Sequence, residues 1–293
     1  MAQCELCNNR AVFSSPQYCK SHFIAYIETK VESTLKRFAL INKDDKIAVA
    51  VSGGKDSQTV TYILHKLFGN VTAISIDEGI PGYRDETLED MKKFCTMHNI
   101  PYHIFSFEQA FGTKLDAMLH RGAPACRSCG VLRRNLLNKH AKGFDKIATG
   151  HNLDDECQSL LMNFMKGTPF LSAKLGPASG VHIRTGFVQR VKPLYLCAEK
   201  EITAYAYLMS FPVRFNERPH ASDGFRSTVR DSLNTLEQQK PGTKMRMIEN
   251  FLSVLPELKS QYANHPMQTC TSCGQPSAQS VCKACITVEA QYV

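Results

Sequence analysis

Residues 46–57 read KIAVAVSGGKDS. Lys46–Val51 (KIAVAV) is a short apolar, β-branched run, the pattern of a strand buried on both faces. Gly53 and Gly54 break the run. From about Asp56 to Phe68 the apolar positions Val60, Ile63, Leu64 and Leu67 then recur at helical spacing. A glycine turn leading from a buried strand into a helix N-terminus is an anion cradle. The glycines let backbone N–H groups approach closely, and the helix start adds unpaired donors and the positive end of its dipole. The hydroxyls of Ser52 and Ser57 add two more donors. The turn is neither G-x4-G-K-[ST] nor G-x-G-x-x-G, so neither of those phosphate-binding signatures applies.

Outward from this turn, strand and helix patterns alternate. Val71–Ile76, Pro101–Phe105, Lys146–Thr149 and Val188–Leu194 read as strands. Asp85–His98, Cys126–Ala141, Leu153–Lys166 and Glu199–Met209 read as helices. This alternation predicts an α/β fold with a parallel sheet covered on both faces and a site at the carboxyl ends of the strands. Before it, residues 23–41 place Ile24, Ile27, Val31, Leu35 and Phe38 at helical spacing, as a connecting helix. After it, residues 222–255 predict two helices split near Pro241-Gly242.

The 293 residues suit one large domain with attachments. Hydrophobic residues at 43% and charged residues at 21% exclude disorder, collagen and coiled coil as the main architecture. No apolar run reaches the roughly 20 residues that cross a bilayer, and the opening MAQCELCNNR has no apolar signal core. The expected compartment is the cytoplasm, with no membrane partner. The net charge of +8 favours a polyanionic partner only weakly, because an ordinary basic enzyme accounts for it equally well.

Twelve cysteines are placed mostly in pairs, which in a reducing compartment marks metal ligands or redox pairs. Cys4, Cys7, Cys19 and His22 form C-x2-C-x11-C-x2-H, and Cys270, Cys273, Cys282 and Cys285 form C-x2-C-x8-C-x2-C. Both sets suit tetrahedral zinc, and neither leaves an open coordination position, so a structural role is expected for each. Cys126 and Cys129 form a third C-x2-C, followed by Gly130, Arg133 and Arg134. Thiols three apart near a helix start share a face, and the dipole lowers their pKa. A metal cluster, a persulfide and a redox disulfide all remain open for this pair. Arg127, Arg133 and Arg134 suit RNA phosphate or the phosphates of ATP.

Residues 149–156 read TGHNLDDE, again after a strand and at the start of a helix. Gly150 permits close approach to a ligand, Asp154 or Asp155 can cap the helix, and three acids suit its dipole. S-G-G-x-D-S resembles the PP-loop of ATP pyrophosphatases, which grips the pyrophosphate while ATP is split into AMP and PPi. This resemblance implies that Ser52, Gly53, Gly54, Ser57, Ile76, Gly150 and Asp155 bind ATP, with adenine near Ser75–Asp77. It also implies that Asp56 organises Mg2+ or the phosphates. A carboxylate beside a triphosphate is unfavourable unless a cation lies between them.

The order of motifs, from the N-terminal cysteines through SGGKDS, C-x2-C-G-x2-R-R and GHNLDDE to the C-terminal cysteines, resembles the TtuA-type tRNA 2-thiouridine synthetases over essentially the whole chain. The resemblance implies adenylation of the C2 oxygen of a tRNA uridine, displacement of AMP by sulfur from a ubiquitin-like thiocarboxylate or sulfide, and a homodimer. It implies Asp56, Lys55, Cys126, Cys129 and Arg133 as catalytic, with Lys55 and Arg133 stabilising charge on the phosphoryl oxygens. It implies ATP, Mg2+, two Zn2+ and, in many members, a [4Fe-4S] cluster held by three cysteines, two of them matching Cys126 and Cys129. The third family cysteine precedes a proline; here Arg218 precedes Pro219, and arginine does not ligate iron. Three alternatives follow: Cys197, Cys157 or His220 completes a cluster; the pair works as a persulfide carrier without one; or Arg218 impairs it.

The implied layout is an N-terminal zinc finger at 1–24, a connecting helix at 25–45, the PP-loop domain at 46–215, a helical region at 216–264 and a zinc ribbon at 265–293. Competing readings are a tRNA cytidine 2-thiolase, with which Pro193–Lys200 (PLYLCAEK) is compatible, another PP-loop ATP pyrophosphatase, and a non-enzymatic zinc-ribbon RNA-binding protein.

Overall fold

The structure, a computed structural model, describes residues 2–120, 125–181, 187–214, 224–263 and 268–289. The chain opens with the two-residue strands β1 (Phe13–Ser14) and β2 (Gln17–Tyr18), followed by α1 (Lys20–Arg37). The central alternation is β3 (Ile47–Ala50), α2 (Lys55–Phe68), β4 (Val71–Asp77), α3 (Tyr83–Met97), β5 (Tyr102–Ser106), the short α4 (Phe107–Phe111) and α5 (Leu115–His120), α6 (Ala125–His140), β6 (Lys146–Thr149), α7 (Leu153–Met165), the short α8 (Pro169–Ser172), β7 (Gln189–Val191) and α9 (Glu199–Leu208). Then come α10 (Gly224–Gln239), α11 (Thr243–Gln261), β8 (Gln268–Thr269), β9 (Pro276–Ser277) and α12 (Lys283–Glu289).

The five-stranded sheet has the order β5-β4-β3-β6-β7, and every neighbouring pair is parallel. From β3 the chain adds β4 and β5 on one side, then reverses and adds β6 and β7 on the other. The switch point therefore lies between β3 and β6, where Ala50 is in register with Thr149. In open parallel sheets the crevice for a ligand opens beyond the carboxyl ends of the strands at this point. SGGKDS follows β3 and GHNLDDE follows β6, so the two motifs flank the crevice.

Both faces of the sheet are apolar, which explains the unbroken hydrophobic runs. Ile47, Val49, Ala73, Ala148 and Val191 pack under α1, α2, α3 and α9. Ala48, Ile74, Ile76 and Ile147 pack under α6, where Leu132, Leu136 and Leu137 complete the layer. The helix expected as a connection does more than connect: Phe23, Ile27 and Val31 of α1 are fully buried in the first layer. Lys30 also pairs with Glu201 of α9 at 2.8 Å. Only three residues of the expected strand 188–194 pair. Pro193 has no N–H to extend the ladder, and the chain turns there. Among the described residues no helix is long and apolar enough to cross a membrane.

The segment after α11 folds back onto the sheet's second layer. Strands β8 and β9 pair antiparallel, α12 packs against α6, and Cys270, Cys282 and Ala284 join the α6 core. The Asn138 side-chain amide of α6 donates to Gln275 Oε1 at 3.1 Å.

Candidate active site

The glycine turn after β3 is braced from within and from α3. Gly53 adopts φ +90°, and a Cβ there would lie 2.1 Å from the Thr87 carbonyl oxygen, so only glycine fits. Ser57 Oγ donates to the Gly54 carbonyl at 2.8 Å and accepts from the Ser52 N–H at 3.2 Å. Arg84, buried on α3, donates to the Ser52 carbonyl, to Ser75 Oγ and to the Ile76 carbonyl, each at 2.6 Å. The Ile76 side chain is buried in the α6 layer, and its carbonyl is already occupied by Arg84.

The second loop meets the first through backbone. A Cβ on Gly150 would lie 2.8 Å from the Asp56 carbonyl carbon and 2.9 Å from the Ser57 nitrogen. Asn152 is the N-cap of α7 with Asp155 as its reciprocal partner, and Asp154 takes no part in the cap. The Asn152 side chain accepts from the Asp155 N–H at 3.0 Å, and Asp155 returns a bond to the Asn152 N–H at 3.3 Å. Asn152 Nδ2 also donates to Asp56 Oδ1 at 3.1 Å. Asp154 points away from the cap, accepting from the Glu199 N–H at 2.7 Å and pairing with Lys244. Lys55 bridges Asp56 at 3.0 Å and Glu199 at 2.9 Å. Arg226 of α10 holds Asp155 and Gln158, both at 2.9 Å.

Burial raises the pKa of Asp56 against the pull of Lys55, and burial raises that of Asp155 against the pull of Arg226. Burial also works against the Lys55 charge, but Asp56 and Glu199 outweigh it and hold the ammonium above its ordinary value. Asp155 adds to the rise at Asp56, and two buried acids beside an N–H-rich turn are a donor set for a hard divalent cation. His151 lies between them in sequence. Burial, aided by Lys192, pushes its imidazole down to about 4, so it is neutral at neutral pH, and Nδ1 lies 2.9 Å from Thr149 Oγ1.

On the other side of the strand ends, the second C-x2-C helix position approaches the same turn. Cys126 belongs to the first turn of α6; its side chain lies outside the described residues. Cys129 is buried, and Arg133 Nη2 donates to its Sγ at 3.1 Å. The same nitrogen pairs with Glu78 Oε1 at 2.5 Å, and Glu78 Oε2 meets Arg84 Nε at 3.0 Å. Because Arg84 holds the Ser52 carbonyl, a continuous chain runs from the Cys129 thiol to the glycine turn. Arg133, expected at the phosphates, pairs here with Glu78 and the Cys129 thiol. Burial opposes its charge, while Glu78 and Cys129 outweigh that and raise its pKa. Glu78, Arg84, Glu199, Arg226 and Lys244 escaped sequence reasoning. Only Glu78 carried a signal, as the acid immediately after a buried strand end.

The terminal cysteine sets close up as their spacing predicts. Cys4 Sγ lies 3.3 Å from His22 Nδ1, and Cys7 Sγ lies 3.7 Å from Cys19 Sγ. Cys270 and Cys285 sulfurs are 3.9 Å apart, and those of Cys273 and Cys282 are 3.7 Å apart. Thiolates in a tetrahedron with Zn–S bonds of about 2.3 Å stand roughly 3.8 Å from one another. The Cys282 N–H, 3.2 Å from Cys270 Sγ, helps hold that thiol down at about 6, favouring the ligating thiolate.

A family profile described as a PP-loop domain matches residues 27–236. The chain is 35% identical over 289 residues to a tRNA-5-methyluridine(54) 2-sulfurtransferase of Pyrococcus horikoshii, covering 97% of this chain and 92% of that protein. It is 35% identical to the cytoplasmic tRNA 2-thiolation protein 1 of Drosophila melanogaster, covering 97% of this chain and 86% of that one. The solved structure of the U34-tRNA thiolase NcsA from Methanococcus maripaludis with its [4Fe-4S] cluster superposes with a TM-score of 0.80 at 32% identity, covering 99% of this chain and 96% of that chain. The chain belongs to the PP-loop tRNA-thiolation family.

As a member of this PP-loop family, the chain departs from the three-cysteine pattern. Cys157 and Cys197 are fully buried in core layers distinct from that of Cys129, and burial pushes both thiols up to about 12. Neither completes a ligand set with Cys129. Arg218 and His220 lie outside the described residues. Among the described residues, groups of three or more metal-ligating side chains occur only in the two terminal modules. The donors on view do not make up a three-thiolate site.

Proposed function

We propose that this PP-loop family member thiolates the C2 position of a tRNA uridine at the expense of ATP. In the first step the uridine C2 oxygen attacks the α-phosphorus, the α–β bond breaks, and pyrophosphate leaves. In the second, sulfur adds to C2, and AMP departs with the electrons of the C2–O bond. The order follows from leaving groups: a urea-like oxygen is expelled poorly, a phosphate monoester well. The reading is supported by the tRNA-thiolation relatives and by one structural observation above the rest. The glycine turn is joined on one side by backbone to the Gly150 loop and on the other, through Arg84, Glu78 and Arg133, to Cys129.

In this reading Ser52, Gly53, Gly54 and Ser57 cradle the phosphates, and Gly150 leaves room for the ribose. Asp56, with Asp155 beside it, holds Mg2+, which when bound neutralises phosphate charge. Lys55, released from Asp56 and Glu199, pairs with the departing pyrophosphate. In this reading Cys126 and Cys129 handle sulfur as a thiol pair; among the described residues Cys157 and Cys197 sit in core layers other than that of Cys129. Zinc on Cys4, Cys7, Cys19 and His22, and on Cys270, Cys273, Cys282 and Cys285, is structural. Sulfide or a protein thiocarboxylate supplies the sulfur to a cytoplasmic homodimer.

The test is turnover with purified tRNA, ATP and sulfide. Expected results are tRNA-dependent pyrophosphate release and 2-thiouridine in the digested product. 2-Thiocytidine instead would favour the cytidine reading. No pyrophosphate release would point to a binding protein without this chemistry.

A further inference from the structure

Helix α6 carries two adjacent arginines, and among the described residues only one is matched by an acid. Arg133 is held by Glu78. Among the described residues Arg134 forms no ion pair with a carboxylate, and neither does Arg190 of β7. Arg190 is opposite Ile147 in the β6–β7 register, on the sheet face covered by α6. Its Nη2 donates to the Arg134 carbonyl at 3.1 Å, and its Nε is shielded from solvent without a partner. The Arg134 guanidinium lies back along the helix over Gly130, where a Cβ would come within 3.4 Å of Nη1. Glycine after Cys129 therefore lets this cation rest beside the thiol helix. Arg134 is exposed at the surface and Arg190 half-buried; desolvation by the surrounding chain and then Arg133 lower the Arg134 pKa, and burial and then Arg134 push Arg190 down to about 10. Among the described residues only the Cys129 sulfur offsets these like charges, so an anion joining them is favoured.

We propose that Arg134 and Arg190 form a binding site for one phosphodiester of the RNA substrate, beside Cys129 and apart from the glycine turn that takes ATP. The inference rests on the functional reading above and adds the point at which the RNA backbone is held. Guanidinium forks match phosphate oxygens bidentately, and Glu78 is taken by Arg133 and Arg84 rather than by either member of this pair. Held there, the backbone sets how far the target nucleotide reaches toward the strand ends.

The experiment compares Arg134→Gln, Arg190→Gln and Arg134→Lys with the parent in tRNA binding across a KCl series, with thermal melts as the control for folding. Each Gln variant is expected to bind tRNA more weakly, with a log–log salt slope shallower by about 0.7–0.9, the share of one phosphate. Arg134→Lys, which keeps the charge, should retain the slope. A folded Arg134→Gln variant with the parental slope overturns the site. So does displacement of inorganic phosphate, rather than tRNA, as the only property lost, since that marks a small-anion site. A parent protein that binds no tRNA at all brings down the functional reading itself, a result distinct from either.

Discussion

Asn152 Nδ2 donates to Asp56 Oδ1 at 3.1 Å across 96 positions of sequence. The residue that caps α7 thus also holds the acid in the first turn of α2. Helix capping and nucleotide-site geometry are therefore one arrangement, and disturbing either loop moves the other.

Asp56→Asn keeps the shape and the Asn152 contact but removes the charge. Pyrophosphate release with tRNA should fall at least about a hundredfold, the scale of one positioned group in a transition state. The melting temperature at pH 7 should not fall. Burial raises the folded-state pKa of Asp56, so the folded protein binds more protons than the unfolded chain between the two values, and this group opposes folding above them. The advantage of the variant should therefore shrink as pH falls through the raised folded-state value and be gone below the unfolded one. A variant with normal turnover would remove Asp56 from the chemistry.

The same shifts set the acid limb of activity. Asp56 and Asp155 must be ionised to hold a cation, and burial raises both. A profile of kcat/KM for ATP against pH, which reports the free enzyme, should lose activity at a higher pH than an ordinary aspartate would give. An acid limb in the usual aspartate range would contradict this assignment.

Gly150→Ala inserts a methyl 2.8 Å from the Asp56 carbonyl carbon, and backbone on that side has no rotamer with which to yield. ATP affinity measured by calorimetry should drop by about tenfold or more, with about 1–3 kcal/mol of lost stability. Unchanged affinity would show that the two loops do not need their close approach.

Lys244→Met strips the cation from buried Asp154, which also accepts from the Glu199 N–H. Both side chains of the pair are only 9% exposed, so a cost of about 3–5 kcal/mol is expected in urea unfolding. Adding Asp154→Leu should recover part of it. A single variant as stable as the parent would show that water reaches Asp154.

Cys270→Ser should lower bound zinc from two per chain to one and raise amide exchange along α6, on which α12 packs. Exchange elsewhere in the sheet should hardly change. Zinc loss without any effect on α6 would separate the module from the helix it covers.

The fold class was legible because β3 is buried on both faces and α2 starts immediately after two glycines. The start of α7 was legible for the same reason, and its cap in part: of the two aspartates offered, Asp155 joins Asn152 in a reciprocal cap, while Asp154 turns to Lys244. The short helices α4, α5 and α8 have too few turns to show a period. The depth at which α1 is buried depends on α9, far along the chain. The Cys129–Arg133–Glu78–Arg84 chain was illegible for a more general reason. It joins side chains from three elements, and no spacing within one element records which acid an arginine will choose. The same holds for the third thiolate: Cys157 and Cys197 looked available in one dimension and are sealed in other layers in three.

Asn138 on the thiol helix is bonded to Gln275, 137 positions downstream. During synthesis the helix that bears Cys126 and Cys129 therefore leaves the ribosome long before the zinc-ligand segment that roofs it. For that interval the flank of α6 that carries Asn138 lacks the segment that covers it in the finished protein, so α6 must hold its place on the sheet through Leu132, Leu136 and Leu137 before its last neighbour arrives.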